Sequence, residues 1–399
     1  REPYSVQQIV QLYKFMHELG GPKGVIRQSE FFLYSKKDRD AVDACRALGY
    51  EFPEITAWIR ARKEDFKLVK AMGIAETGIL ASCSDYHIFK KLHMTRRQAM
   101  DQFLSVVKEA LAEGIRPRVH LEDITRADYY GFVMPLAQEL HNLSQESGIP
   151  IKIRACDTLG FGVSYPGVAL PRSVPGIAYG FCHYAQFKSE LLEWHGHNDF
   201  HKAVANAGTA WLYGIGAVNC TLLGIGERTG NTPLEAMAFE YAALRGTTDG
   251  MNLRMVTEIA NYYRKELGYR LPPMTPFVGE DFNVTRAGIH ADGLLKDEEI
   301  YNAFDTTMLL NRPVRVLINQ TSGAAGIAHW LRTRFGLKGD SGIDKRDARL
   351  QPVLDWINAE YASGRITDIG DAALDRALAR LSPDLYNELA GVVTDAVIS

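Results

Sequence analysis

Apolar residues recur along the first two thirds of the chain in two alternating rhythms. One is helical: Ile9, Leu12, Tyr13, Met16 and Leu19 fall three and four apart behind Ser5-x-x-Gln8, a capping box, and Gly20 stops the run. A second stripe, Met100, Phe103, Leu104, Val107 and Leu111, follows Thr95-x-x-Gln98 and ends at Gly114, which makes it a core-facing stripe and not a cofactor face. Between the helical runs lie short β-prone segments at 24–28, 54–60, 77–82, 116–121, 151–156, 193–197 and 217–223. Each is trailed by a helical segment, the one after 151–156 being interrupted by Pro166, Pro171 and Pro175. Alternation of this kind predicts a parallel sheet with helices outside it, an α/β fold of the (β/α)8 TIM barrel class. Seven strands and eight helices, helix first, leave one barrel strand to be expected ahead of Arg1.

After a helix at 253–267 comes Leu271-Pro-Pro-Met-Thr-Pro276, a composition that predicts a linker. The expected division is a catalytic barrel over 1–270, a linker or lid subdomain over 271–330, and a small helical extension over 331–399 with Trp356, Ile357, Tyr361, Leu374, Leu378 and Leu381 as its apolar positions. With 399 residues, 46% hydrophobic and 23% charged, the chain is long enough for a large core. A net charge of −3 argues against a nucleic-acid partner. No apolar window reaches membrane length, and the first residues do not make a secretory signal. Five scattered cysteines without a C-x-x-C suggest neither a disulfide framework nor a thiolate metal site, so a soluble protein of the reducing cytoplasm is expected.

The chemistry concentrates in residues 194–231. His195 and His197 stand two apart in a strand-like run and so share a face, an arrangement suited to a divalent metal, although an H-x-H pair also arises by chance. A glycine-rich turn follows the last strand and ends at Asn231, a candidate third ligand. Its G-x-G-x-x-x-G spacing (Gly224, Gly226, Gly230) fits a tight βα turn better than a dinucleotide fingerprint. Period two likewise puts Arg118, His120 and Glu122 on one face at a strand exit, as pocket residues or as an ion pair holding the barrel together. At another exit, Asp157-Thr158 reads from the residues alone as a turn cap.

HGHND at 195–199 followed by GIGERTGN at 224–231 resembles the isopropylmalate and homocitrate synthase group, the DRE-TIM metallolyases. The resemblance covers nearly the whole chain and weakens after about Leu337. It implies a TIM barrel in which His195, His197 and Asn231 surround a divalent metal (manganese, magnesium or zinc), with acetyl-CoA as co-substrate and a 2-oxo acid as acceptor. It further implies that Arg118 and Thr158 bind the oxo acid and that Glu122 takes part in acid–base work, and His120, on the face of Arg118 and Glu122, is expected to line the same substrate pocket. Arg286-Ala-Gly-Ile-His290 resembles the group's G-I-H motif, whose histidine reaches an active site across a homodimer; only that resemblance lifts His290 above a solvated loop histidine. The group's first strand ends in R-D-G or R-E-G, which supplies an acidic metal ligand and an arginine; no such motif stands at the start of this sequence, and no residue is named for those roles.

Two stretches, 21–32 and 84–93, resemble the branch of citrate synthases of Re stereochemistry. The expected reaction is therefore condensation of acetyl-CoA with a 2-oxo dicarboxylate, oxaloacetate giving citrate, with isopropylmalate or homocitrate synthesis as the alternatives. A charge argument points the same way: a buried Arg118 would need an anion that an isopropyl group cannot supply. Amidohydrolases carry H-x-H on the first strand, and a hydroxymethylglutaryl-CoA lyase would want a cysteine where Glu227-Arg228 stands. A non-catalytic barrel is the remaining rival.

Overall fold

In the computed structural model, residues 3–337 and 343–398 are described. They form two compact units, 1–255 and 256–399. The division falls after the first residue of the helix Met255–Lys265, whereas the prolines had marked a boundary beyond its end.

The first unit is a seven-stranded parallel sheet in chain order: β1 Gln28–Phe31, β2 Glu54–Arg60, β3 Glu76–Ser82, β4 Arg116–Glu122, β5 Lys152–Asp157, β6 Leu192–Gly196 and β7 Ala217–Asn219. Helices α1 Val6–Gly20, α2 Lys36–Arg46, α3 Phe66–Ala71, α4 Asp85–Lys90, α5 Arg96–Ala112, α6 Met134–Ser147, α7 Val174–Tyr179, α8 Ala203–Leu212 and α9 Leu234–Arg245 alternate with the strands. Both expected capping boxes form: Ser5 accepts from Gln8 N and Thr95 from Gln98 N, with each glutamine returning to the cap backbone. Phe103 and Val107 of the second stripe are buried.

The sheet curls. Arg118 on β4 and Arg154 on β5 both reach Glu30 on β1, strands that are not neighbours in the sheet, so β1 faces β4 and β5 across an interior. Among the described residues β1 and β7 are each paired on one side only. The outer layer between sheet and helices is apolar, with Val119, Leu121, Ile153, Ala155 and Trp194 pointing outward from β4, β5 and β6. The inner face is polar, which is why the period-two pattern was visible.

Two strands differ from expectation. The first begins at Gln28 and not at 24, because Gly24 sits at φ 59° in a turn whose N–H donates to the Gly21 carbonyl. The last ends at Asn219, since Leu222–Gly224 turns into a short 3-10 segment.

The second unit has one core that runs from Ala291 to Leu389, so the expected linker part and helical extension share it. It contains a two-stranded sheet, β8 Val284–Thr285 with β9 Arg315–Val316, and helices including α10 Met255–Lys265 and α11 Gly288–Lys296. Trp330 donates from Nε1 to Asp371 at 2.9 Å, fixing a helix of the former part to one of the latter.

Candidate functional site

His195 is the last residue but one of β6 and His197 stands just beyond its end, with Nε2 atoms 3.3 Å apart. Each Nδ1 is held from behind: His195 Nδ1 lies 2.7 Å from Asn219 Oδ1 and His197 Nδ1 lies 2.6 Å from the Thr158 carbonyl. A bare Nδ1 that close to an oxygen would set two lone pairs against each other, which puts the proton of His195 on Nδ1; His197 Nδ1 faces both the Thr158 carbonyl and, at 2.9 Å, Arg228 Nη2, and the shorter contact to the carbonyl favours the same tautomer. Both Nε2 lone pairs then face one another. Protonation does not relieve this, because burial, the neighbouring His197 and Arg154 push His195 down to about 4. Two neutral imidazoles oriented by hydrogen bonds with their free nitrogens converging fit a divalent cation.

Asn231 is buried and forms an antiparallel bridge with His197. Its amide oxygen lies over Gly226, where a Cβ would come within 1.4 Å, so any side chain there would displace it. Among the described residues no group of three His, Cys, Asp or Glu side chains completes a metal cluster. The donor set present is thus the imidazole pair with the amide-bearing turn beside it. Arg228 closes over the rim, donating to the Thr158 carbonyl at 2.5 Å and pairing with Asp199 at 2.8 Å. Asn219 was not singled out from the sequence; period two along β7 was the only signal that could have found it.

Arg118 lies deeper and is fully buried. Its guanidinium is paired with Glu30, with Glu76 at 2.8 Å, and with Gln28 and Thr56 at 2.9 and 3.2 Å. Arg154 is shared between Glu30 at 3.1 Å and Glu193 at 2.7 Å, and Lys152 reaches Glu76 at 3.1 Å. Arg118, Lys152 and Arg154 are therefore matched by Glu30, Glu76 and Glu193. The argument from an unpaired guanidinium does not hold in this structure, because the protein itself supplies the anions. His120 sits in the same layer, its Nε2 3.3 Å from Arg118 Nε, and burial with the two arginines pushes its pKa well down. Gly78 makes room for that ring: a Cβ there would meet His120 Nε2 at 2.6 Å.

Glu122 stands at the exit of β4 with Lys91 Nζ at 2.7 Å, a short hydrogen bond from Ser82, and His87 Nδ1 at 3.1 Å, off the hydrogen-bonding direction. Burial raises this carboxyl, but Lys91 and Ser82, which both hydrogen-bond to it, outweigh that and hold it below its usual value. Such a carboxylate is a weak base at neutral pH. The Thr158 hydroxyl accepts from Asp123 N at 2.8 Å, a link between the exits of β4 and β5, while its carbonyl lies against His197 Nδ1. Asp157 is bound by Thr125 Oγ1 at 2.8 Å and Gly162 N at 2.9 Å, a structural position. His290 belongs to the second unit, where it is exposed near the start of α11, not in a loop, with its ring 4.5 Å from that of Tyr301.

Comparison with known proteins bears on this geometry. Residues 24–262 match the HMGL-like family. The chain is 57% identical to a citrate (Re)-synthase of Clostridium kluyveri over 97% of its own length and 85% of the relative's. It is 55% identical to a citrate (Re)-synthase of Syntrophus aciditrophicus, again over 97% of this chain but 61% of that one. Among solved structures, a hydroxymethylglutaryl-CoA lyase from Pseudomonas aeruginosa superposes with a TM-score of 0.51 at 18% identity, covering 68% of this chain and 89% of that one, a likeness of fold.

Proposed function

Because the chain belongs to the HMGL-like family, we propose that it is a condensing enzyme that joins acetyl-CoA to oxaloacetate, releasing citrate and CoA. The observation that carries this reading is the identity to two citrate (Re)-synthases over nearly the whole chain. More distant relatives at 30% and 27% identity are a 2-isopropylmalate synthase and a homocitrate synthase, so 2-oxoisovalerate and 2-oxoglutarate are the substrates to test against.

A divalent ion (manganese, magnesium or zinc) held by His195 and His197, with Asn231 beside them, would supply Lewis acidity to the keto group of the oxo acid. The chain's own contribution is preorganisation. Asn219 and the Thr158 carbonyl keep the imidazoles in one tautomer, and burial keeps His195 neutral. The methyl group of acetyl-CoA must lose a proton before its carbon attacks the keto carbon, and hydrolysis of the thioester then makes the step irreversible. Of the two candidates for the base, Glu122 is held ionised and weakly basic, which leaves it an orienting role toward Lys91 and favours His290 as acceptor. Arg118, His120 and Thr158 are proposed to shape the oxo-acid pocket from below, through the charge layer and the β5 turn.

A homodimer that brings His290 to an active site belongs to the same proposal, supported by the proline-rich stretch ahead of it. So does a cytoplasmic setting, supported by five cysteines that are all free. Among the described residues no helix is long and apolar enough to cross a membrane. Release of free CoA from acetyl-CoA should require oxaloacetate and a divalent metal together. Equal or faster release with 2-oxoisovalerate would reassign the enzyme as an isopropylmalate synthase, and release with no oxo acid would remove the condensation reading.

A further inference from the structure

The turn that delivers Asn231 has two limbs. Residues 230–232 are stitched to the histidine strand, with Asn198 N donating to the Gly230 carbonyl at 2.9 Å and Thr232 N to the Gly196 carbonyl at 3.2 Å. The other limb, 221–224, contains Leu223 at φ 56° and ψ 22°, a left-handed conformation unfavourable for a leucine and held only where the surroundings impose it. The Leu223 N–H is met by one side chain. Glu235, in the first turn of α9, is buried, and its Oε2 accepts from Leu223 N at 3.0 Å.

We infer that Glu235 is a positioning residue for the proposed metal site: its buried carboxyl captures the Leu223 N–H, fixes the left-handed step, and so sets the turn that presents Asn231. The next link is direct. The Gly224 carbonyl, one residue beyond Leu223, accepts from Asn231 N at 2.9 Å, and Gly230 packs so tightly on that carbonyl that a Cβ would come within 2.3 Å. The limbs are also zipped by Thr221 N to the Thr232 carbonyl at 3.0 Å and Leu234 N to the Thr221 carbonyl at 2.9 Å. A shift at Leu223 is thereby transmitted to Asn231.

Glu235 is an expensive way to satisfy one N–H. Among the described residues no cation pairs with it; the titratable group facing it is the Cys220 thiol, whose own pKa is pushed up by burial and by Glu235. Burial pushes the Glu235 carboxyl up to about 7. A leucine would pack there without that penalty, yet would leave the Leu223 N–H without an acceptor.

This inference rests on the metal-site reading, so its test has one arm independent of metal. In the 399-residue chain, amide exchange over residues 222–231 and Mn²⁺ affinity by calorimetry are measured for wild type, Glu235→Leu and Glu235→Gln. Glu235→Leu is expected to speed exchange in this segment at least about tenfold and to weaken Mn²⁺ binding about ten- to a hundredfold, the range for removing support behind metal ligands. Glu235→Gln, which keeps an acceptor at the same reach, is expected to stay close to wild type in both. Unchanged exchange and affinity in Glu235→Leu, or equal damage from Glu235→Gln, would overturn the inference. If Glu235→Leu does not fold, Glu235→Asp serves: its shorter side chain cannot reach Leu223, so exchange should rise, and unchanged exchange would overturn the inference. If wild type takes none of Mn²⁺, Mg²⁺ and Zn²⁺ in the same calorimetry, the metal-site reading fails, and exchange alone decides whether Glu235 holds the turn.

Discussion

Two layers of the same interior, one above the other, treat charge in opposite ways. In the lower layer Arg118, Lys152 and Arg154 meet Glu30, Glu76 and Glu193, and each formal charge has a partner from another strand. In the upper layer His195 and His197 are each tied down at Nδ1 and left with facing lone pairs 3.3 Å apart. The lower layer is complete as it stands; the upper one, on the proposed reading, is completed by a cation. The same residue chemistry, ionisable groups pointing into a barrel, therefore builds structure in one place and a binding site in the other.

The largest expected effect falls on the incomplete layer. His195→Ala or His197→Ala should remove several kcal/mol of transition-state stabilisation, a loss of turnover of about a thousandfold or more, while the melting temperature without added metal stays near wild type. The complete layer should answer in stability instead. Arg118→Leu leaves Glu30 and Glu76 facing each other without their shared cation, and denaturant unfolding should show a loss of about 3–5 kcal/mol.

Glu235 gives a pH-dependent contrast. Its carboxyl is raised from 4.5 to about 7, so the folded state holds the proton more tightly than the unfolded chain does. Its contribution is fully present below 4.5 and lost as pH rises through 7. Glu235→Gln should therefore gain on wild type across that window, by about 3 kcal/mol at most once the carboxyl is ionised. Stability curves that run parallel from pH 4 to pH 8 would contradict this.

Asn219→Ala, which unties His195 from behind, should weaken metal binding about ten- to a hundredfold with little change in the unfolding midpoint. The smallest effect is expected at the surface. Lys23 pairs with Asp249 at 2.8 Å but is 68% exposed, and Lys23→Ala should cost less than about 1 kcal/mol.

Much of this was legible in the sequence because its signals are local. Alternating periods marked the strands and helices, two capping boxes marked helix starts, and H-x-H with the glycine-rich turn marked the site proposed here. What was not legible is long-range. Glu30, Glu76 and Glu193 come from three strands far from Arg118 in the chain, so period two could put Arg118 inside but could not show that its charge was already answered. Thr158 was singled out for its hydroxyl, yet its carbonyl is what holds His197, and a main-chain acceptor has no signature in the sequence. Glu235 could have been read as an acidic residue in the first turn of a helix; only burial and the left-handed Leu223 give it another role.

The claim at the centre of this account is that the imidazole pair is a cation site. Pulsed electron paramagnetic resonance of the Mn²⁺-loaded chain tests it most directly, since each coordinating imidazole adds a ¹⁴N coupling. Two such couplings, reduced to one in either His195→Ala or His197→Ala, are the predicted result. A Mn²⁺ signal that carries no nitrogen coupling, or one that both substitutions leave unchanged, would contradict it.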